Sequence, residues 1–281
     1  IGMGGSILGS AAIYNFLKNK IKKKFYFFGD INSKNILNFK KKIELNKTLF
    51  IVISKSGNTV ETLSNFLYLN IIKKNSKNII LISEKNDNLL YSLSKKFNLF
   101  HIQHRTYIGG RYSVLSEAGL VPAYLMGLNI NKFRKNLRKC LIGREKIFLK
   151  DSSVKLANLI LNKNIKNLVF LNYAPELEKF LRWAQQLIAE SLGKRNLGIL
   201  PTISNVPRDH HSLLQLYLDG PRDKLFHIFS FKMSSSERII TKKLNNQLNF
   251  LNNKSLDEIK LTQKKALIKV LKKNKIPFRE H

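Results

Sequence analysis

With 281 residues, 43% of them hydrophobic, the chain has room for one large or two ordinary domains and enough apolar content to bury a core, which excludes a disordered protein. Fifty Lys and Arg against 18 Asp and Glu give a formal charge of +32, a balance that raises the question of nucleic-acid binding. The lysines are spread over surface-like stretches among Asn and Ile, so no nucleic-acid partner is expected, and the positive field favours a small dianion instead. A single cysteine, Cys140, leaves no disulfide framework. No apolar run reaches the ~18 residues of a membrane-spanning helix, and the expectation is a cytoplasmic protein with no membrane partner.

The chain opens on GMGGSILGS (2–10), a glycine cluster that passes through Gly5 and Ser6 into a helix over 6–20. Glycine lets a backbone approach an anion closely, and the free N–H groups at a helix start point toward it; the same residues also suit a tight turn. Strands are predicted over 25–31, 48–54, 78–83 and 99–102, alternating with helices over 59–74 and 86–97. The strands are apolar throughout, as in a parallel sheet covered on both faces. Between the second strand and its helix stands Ser54-Lys55-Ser56-Gly57-Asn58-Thr59, with Thr62 one turn on. Hydroxyls around a helix N-terminus form an anion seat. The Gly-Lys-Ser/Thr order of a nucleotide-binding loop is absent, so a phosphate monoester fits better than ATP; an ordinary Ser/Thr-capped helix is the other reading.

Next, YIGGRYSVLSEAGL (107–120) exposes Gly110 and Arg111 ahead of a helix over 114–127, placing a permanent charge suited to an oxyanion, or a solvated surface turn. Residues 1–130 form the first predicted subdomain, 131–150 a basic connecting helix, and 151–281 a second subdomain of the same kind. Its elements are helices over 153–163, 176–192, 210–219 and 257–273, strands over 167–173, 198–203 and 225–231, and a polar loop near 234–256. Two such lobes leave a cleft, and ligands are expected at the carboxyl ends of parallel strands. Arg182, Gln186 and Glu190 recur every four residues on one helical stripe, and Glu190 lies near the negative end of the helix dipole, a setting that favours proton acceptance. In PRDHHSLLQLYLDGP (207–221), Asp209 reads as an N-cap and Gly220 as the residue that ends the helix, with His210 and His211 in the first turn. Adjacent histidines without an HxxxH or cysteine partner do not suit a metal, so no metal site is expected.

Taken in order, GMGGSILG, SKSGNTVET, GGRYSVLSEAGL, QQLIAESLGK and PRDHHSLLQLYLDG resemble the signature stretches of the glucose-6-phosphate isomerase family, whose two sugar-isomerase (SIS) domains are αβα sandwiches. The resemblance implies interconversion of glucose 6-phosphate and fructose 6-phosphate without a cofactor. It implies a phosphate clamp of Ser54, Ser56 and Thr59 with Lys55 and Thr62 beside it, and a Gly5–Ser6 turn touching the sugar. Gly110 and Arg111 would then stand beside the reacting carbons, with Gln186 a substrate contact and Glu190 the base. His211 aligns with the ring-opening histidine, supplied across a homodimer interface, with Glu61 its orienting partner. A sugar-phosphate-sensing module and a dual phosphoglucose/phosphomannose isomerase are the alternatives. The family carries a further lysine in a segment resembling NPFDQPGVExxK, and nothing after IPFREH (276–281) matches it. The expectation is therefore a fragment lacking both ends, weakly active or inactive as it stands.

Overall fold

The computed structural model describes residues 1–231, 236–241 and 246–281. The chain separates into two compact units: Ile1–Lys146 with Lys179–Leu187, and Ile147–Glu178 with Ile188–His281.

Unit 1 contains a parallel sheet in the order β1 (Phe50–Ile53), β2 (Ile79–Ser83), β3 (Phe100–Gln103). Phe50 stands beside Ile79 and Ile80 beside Phe100. Parallel neighbours need crossover connections, and these are α3 (Val60–Tyr68) and α4 (Leu89–Phe97), preceded in the chain by α1 (Gly5–Leu17) and α2 (Ser33–Lys42). The core joins Val52, Ile79 and Leu81 of the strands to Phe66 and Leu90 of the crossover helices and to Ile36 and Phe39 of α2. Asn88 accepts a bond from Tyr91 N and so caps α4. The helix expected over 59–74 stops at Tyr68, because the chain turns left-handed at Asn70 (φ 54°). Next come α5 (Glu117–Leu125) and two short basic helices, α6 (Ile130–Arg134) and α7 (Leu137–Leu141), so the stretch 131–150 is broken twice before the following helix.

One predicted strand does not form. FYFFGDI (25–31) has no ladder partner: its contact with the sheet is the bond from Gly2 N to Phe28 O at 3.2 Å. The place beside β1 is held by Ile1 and Gly2, Ile53 N donating to Ile1 O at 2.9 Å. Apolar character makes a segment eligible for a sheet, but a strand exists only where a neighbour of similar length pairs with it.

Unit 2 holds a second parallel sheet, β5-β4-β6-β7, from β4 (Asn167–Asn172), β5 (Leu200–Asn205), β6 (Lys224–Phe229) and β7 (Phe278–Glu280). Val169 on β4 pairs with Thr202 on one side and Phe226 on the other. Unit 2 also holds α10 (His210–Asp219), α11 (Leu256–Lys273) and most of α8 (Arg144–Asn162), while α9 (Glu178–Leu192) is divided between the units, its residues Lys179–Leu187 belonging to unit 1. Leu267 and Leu271 of α11 meet Leu171, Phe226 and Ile228 in the core. A capping box between Ser255 and Glu258 starts α11. The polar loop expected near 234–256 lies partly outside the described residues; within it 246–251 form a 3₁₀ turn. Both units are thus α/β sandwiches on parallel sheets.

One expected cap is corrected and the other holds. The Asp209 side chain does not cap α10 but accepts bonds from Asn205 N at 2.8 Å and Arg208 Nε at 2.9 Å, tying the helix start to the end of β5. Gly220 ends α10 as expected, its N–H donating to Leu216 O, in extended and not left-handed backbone (φ −76°), and a Cβ there would stand 2.5 Å from Leu216 O.

Candidate active site

In unit 1 the glycine turn, the β1–α3 loop and the segment before α5 come together. Gly4 takes a left-handed conformation (φ 49°) that starts α1, and a Cβ on it would lie 2.8 Å from Gln186 Nε2. A Cβ on Gly5 would lie 2.2 Å from Gly110 O and 2.6 Å from Arg111 N, so the start of α1 rests directly on the backbone of the Gly-Arg turn. Ser113 Oγ bridges that contact, 2.7 Å from Gly110 O and 3.2 Å from Gly5 O. Trp183 Nε1 donates to Arg111 O at 3.0 Å, and the Arg111 guanidinium covers the Tyr112 ring at 4.6 Å. Gly5, Gly110, Arg111 and Gln186 are therefore assembled within one unit, with Ser6 partly exposed on the first turn of α1.

The Ser54–Thr59 loop is continuous with this assembly through the Gly2–Ile53 bridge. Ser54 is buried, and its Oγ lies 2.8 Å from Thr59 Oγ1. Thr59 occupies the N-cap position of α3 yet makes no side-chain cap bond, since its hydroxyl is turned to Ser54. The ordinary Ser/Thr-capped helix is thereby corrected at this position, and orphan N–H groups of the first turn remain available to an anion. Ser56 is exposed. Lys55 Nζ donates to Thr106 O at 2.9 Å and stands 3.6 Å from Glu84, so it braces the loop. Gly57 is left-handed (φ 69°), and a Cβ there would collide with the Asn88 carboxamide. Thr62 is fully buried and, among the described residues, its Oγ1 has no hydrogen-bond partner; that hydroxyl reaches a ligand only if the turn opens. Glu61 is half-buried in the first turn of α3.

In unit 2 the structure keeps Glu190 and His211 apart. Both are exposed. Glu190 lies in the last turn of α9, whose end abuts the start of β5: a Cβ on Gly198 would stand 3.1 Å from Leu192 O. His211 lies in the first turn of α10, tied by Asp209 to Asn205 at the other end of β5. Six residues of strand separate these ends by about 20 Å at ~3.3 Å per residue. His210 turns inward, its Nε2 3.1 Å from the hydroxyl of buried Tyr173. Burial, and then the neighbouring His211, lower the pKa of His210, against the opposing pull of Asp209.

Several residues were missed in the sequence. Asn88 locks Gly57, Trp183 holds Arg111, Ser113 joins Gly5 to Gly110, and Tyr173 fixes His210. Asn88 alone left a signal, an Asn just before the apolar run LLYSL. Among the described residues no group of three or more His, Cys, Asp or Glu is placed to hold a metal, and no helix is long and apolar enough to cross a membrane.

A family model described as phosphoglucose isomerase matches residues 1–199, which span all of the unit 1 assembly and Glu190. The chain belongs to the phosphoglucose isomerase family. A glucose-6-phosphate isomerase from Methanocaldococcus jannaschii is 36% identical over 247 residues, covering 85% of this chain and 60% of that one. The chain thus spans about three fifths of the length of the family relatives it matches. In fold it is similar to a hypothetical protein from Thermus thermophilus (TM-score 0.82, 24% identity, 99% of this chain and 71% of that one). It also matches the Escherichia coli tagatose-6-phosphate ketose/aldose isomerase, at TM-score 0.51 and 14% identity over 81% of this chain and 60% of that one. These structural likenesses bear out the SIS-type α/β fold of the phosphoglucose isomerases.

Proposed function

We propose that the chain carries the chemistry of an aldose-ketose isomerase acting on glucose 6-phosphate and fructose 6-phosphate. The observation that supports this best is the convergence in unit 1 of the Gly4–Ser6 turn, the Ser54–Thr59 hydroxyl pair and the Gly110–Arg111 backbone. Hydroxyls and unpaired helix N–H groups take the dianionic phosphate, while Arg111 supplies a permanent positive charge where an oxyanion develops.

In this reading Ser54, Ser56 and Thr59 hold the phosphate, with Lys55 and Thr62 bracing the loop and Gly5–Ser6 and Gln186 seating the sugar. His211 moves a proton between the ring oxygen and the hydroxyl at the anomeric carbon, and the pyranose opens to the aldehyde. Glu61 orients that imidazole. Only the open form has a C2 proton acidic enough to remove, and Glu190 takes it. The electron pair moves through a C1–C2 double bond onto the carbonyl oxygen, giving a cis-enediolate whose charge Arg111 meets with a charge-assisted hydrogen bond. A proton passes from the C2 hydroxyl to the C1 oxygen, Glu190 returns its own proton to C1 as the carbonyl forms at C2, and the atoms balance without a cofactor. General-base catalysis of this kind contributes ~10²–10⁴-fold, so positioning and electrostatics supply the remainder. The separation of Glu190 from His211 along β5 supports a homodimer in which a second copy supplies the histidine.

The test is proton exchange at C2 of glucose 6-phosphate in deuterated water, followed by NMR for the chain and for Glu190→Gln. Exchange that falls at least ~100-fold while fructose 6-phosphate still binds supports the assignment. Binding without exchange in the unsubstituted chain favours a sugar-phosphate sensor, and equal exchange in both chains removes Glu190 from the mechanism.

A further inference from the structure

The lysines that lie scattered along the sequence are gathered by the topology of unit 1. Because β1, β2 and β3 run parallel, each helix leaves from the carboxyl ends of the strands and returns the chain to their amino ends. The segments 18–24, 40–49, 69–78 and 95–99 close α1, α2, α3 and α4, and they meet there. Asn78 Nδ2 donates to Leu45 O and Thr48 O, Asn98 Nδ2 donates to Asn75 Oδ1, and Lys23 and Lys24 line the same cavity as Lys47 and Thr48. These four segments carry fourteen lysines and one acid, Glu44, whereas the loops at the carboxyl ends (29–33, 54–59, 84–88 and 104–116) carry four Lys or Arg and three acids. A compositional excess of lysine loads both ends alike, so it does not account for the asymmetry. All fourteen but Lys40 are exposed, and among the described residues only Lys47 of this set is ion-paired, to Glu44 at 2.8 Å.

Helix dipoles explain a minority of these charges. Five of the lysines stand in the last turns of α2 and α4, where a cation meets the negative helix end; the other nine lie beyond. So many like charges at one end of a unit repel one another and are relieved by a polyanion. Two exposed rings share the face, Tyr68 at the end of α3 (47% exposed) and Phe100 at the start of β3 (62%). No arginine occurs in the four segments, and an ammonium meets a phosphate as a point charge without the bidentate fork that reads a base edge. We infer that the amino-end face of the unit 1 sheet binds single-stranded nucleic acid without sequence preference, lysines on the phosphates and Tyr68 and Phe100 on the bases. Rings favour a single strand over a duplex, whose bases are already stacked. They belong to the ends of separate elements and not to one amphipathic helix, which is the device that lies in a membrane surface.

The test is fluorescence anisotropy of a labelled oligothymidylate of about 12 nucleotides, within the site sizes of such surfaces. Neutralising about five phosphates gives a slope of log K on log salt near −3.5, and a slope shallower than about −1 overturns the inference. That slope is read on the unsubstituted chain, so it stands whether or not a variant folds. Lys22→Glu, Lys23→Glu and Lys24→Glu together should weaken binding at least ~10-fold. The same charge change on the exposed stripe of α11, Lys265→Glu, Lys269→Glu and Lys272→Glu, should weaken it less than ~3-fold, and equal losses would mean that net charge alone binds the strand. Tyr68→Ala with Phe100→Ala should weaken the oligothymidylate about 5-fold or more while leaving inorganic polyphosphate, which has no bases, unaffected; equal weakening of both overturns the stacking role. Saturating fructose 6-phosphate should leave the oligonucleotide bound, because the Ser54–Thr59 turn lies at the other end of the strands. Displacement by the sugar phosphate overturns the inference, as does capture of the chain by phosphatidylserine vesicles in the absence of oligonucleotide binding.

Discussion

Two glycines meet at one contact in unit 1, and they call for opposite outcomes when each gains a methyl group. In Gly5→Ala the new Cβ stands 2.2 Å from Gly110 O and 2.3 Å from its carbonyl carbon, so backbone and not a flexible side chain must yield. Restoring ordinary contact near ~3.4 Å requires the Gly110–Arg111 turn to retreat by about 1.2 Å. Overpacking costs ~1–3 kcal/mol, and with only backbone to move the upper end applies, offset by up to ~1 kcal/mol of helix propensity. The net loss is about 2 kcal/mol, or a midpoint roughly 4–8 °C lower at the ~2–4 °C per kcal/mol of a domain this size. Gly110→Ala adds its methyl to open space, with no atom within 4 Å and no positive φ, and should be neutral or stabilising by ~0.4–1 kcal/mol. Urea denaturation of the two variants beside the unsubstituted chain measures both. Equal stabilities, or a Gly110→Ala chain as weak as Gly5→Ala, would refute the close approach on which the placement of Arg111 depends.

Ser54→Ala with Thr59→Ala should weaken binding of fructose 6-phosphate at least tenfold by calorimetry. Ser54→Ala alone should also cost ~1 kcal/mol of stability, because it leaves the Thr59 hydroxyl without its partner. Buried His227, whose pKa burial pushes down to about 4, gives a pH dependence of defined sign. Protons bind the unfolded imidazole from 6.5 downward, so stability should fall by up to ~3 kcal/mol between pH 6.5 and 4, and NMR of the His227 ring should show no titration above pH 5.

Strands over 48–54, 78–83 and 167–173 were legible because each is buried on both faces and therefore reads as an unbroken apolar run. FYFFGDI looks the same and fails, since pairing is a property of two segments and the sequence displays one. Helix α2 went unread: in SKNILNFKKK only Ile36 and Phe39 are buried, too few for a periodic stripe against so many lysines. The turn of hydroxyls at Ser54–Thr59 was legible as a loop between a strand and a helix, the place that it takes between β1 and α3. The contact of Gly5 with Gly110 was not, because it joins backbones more than a hundred residues apart, and a glycine's spelling does not say what it must avoid. The distance of Glu190 from His211 was hidden in topology, appearing only when β5 is laid between them.

Helix α9 has a consequence for the order in which the molecule is made. Its residues Lys179–Leu187 belong to unit 1, where Trp183 packs with Ile13, Val114 and Met126 and holds Arg111 O. A ribosome releases the chain from its first residue onward, so unit 1 waits for a piece that follows β4 in the sequence. Until residue 187 has emerged, that patch of its core stands open to water and the Arg111 turn lacks its anchor. A gene cut between residues 146 and 147 would therefore yield an N-terminal half with an unsealed core, prone to aggregate unless the missing helix is supplied as a separate peptide.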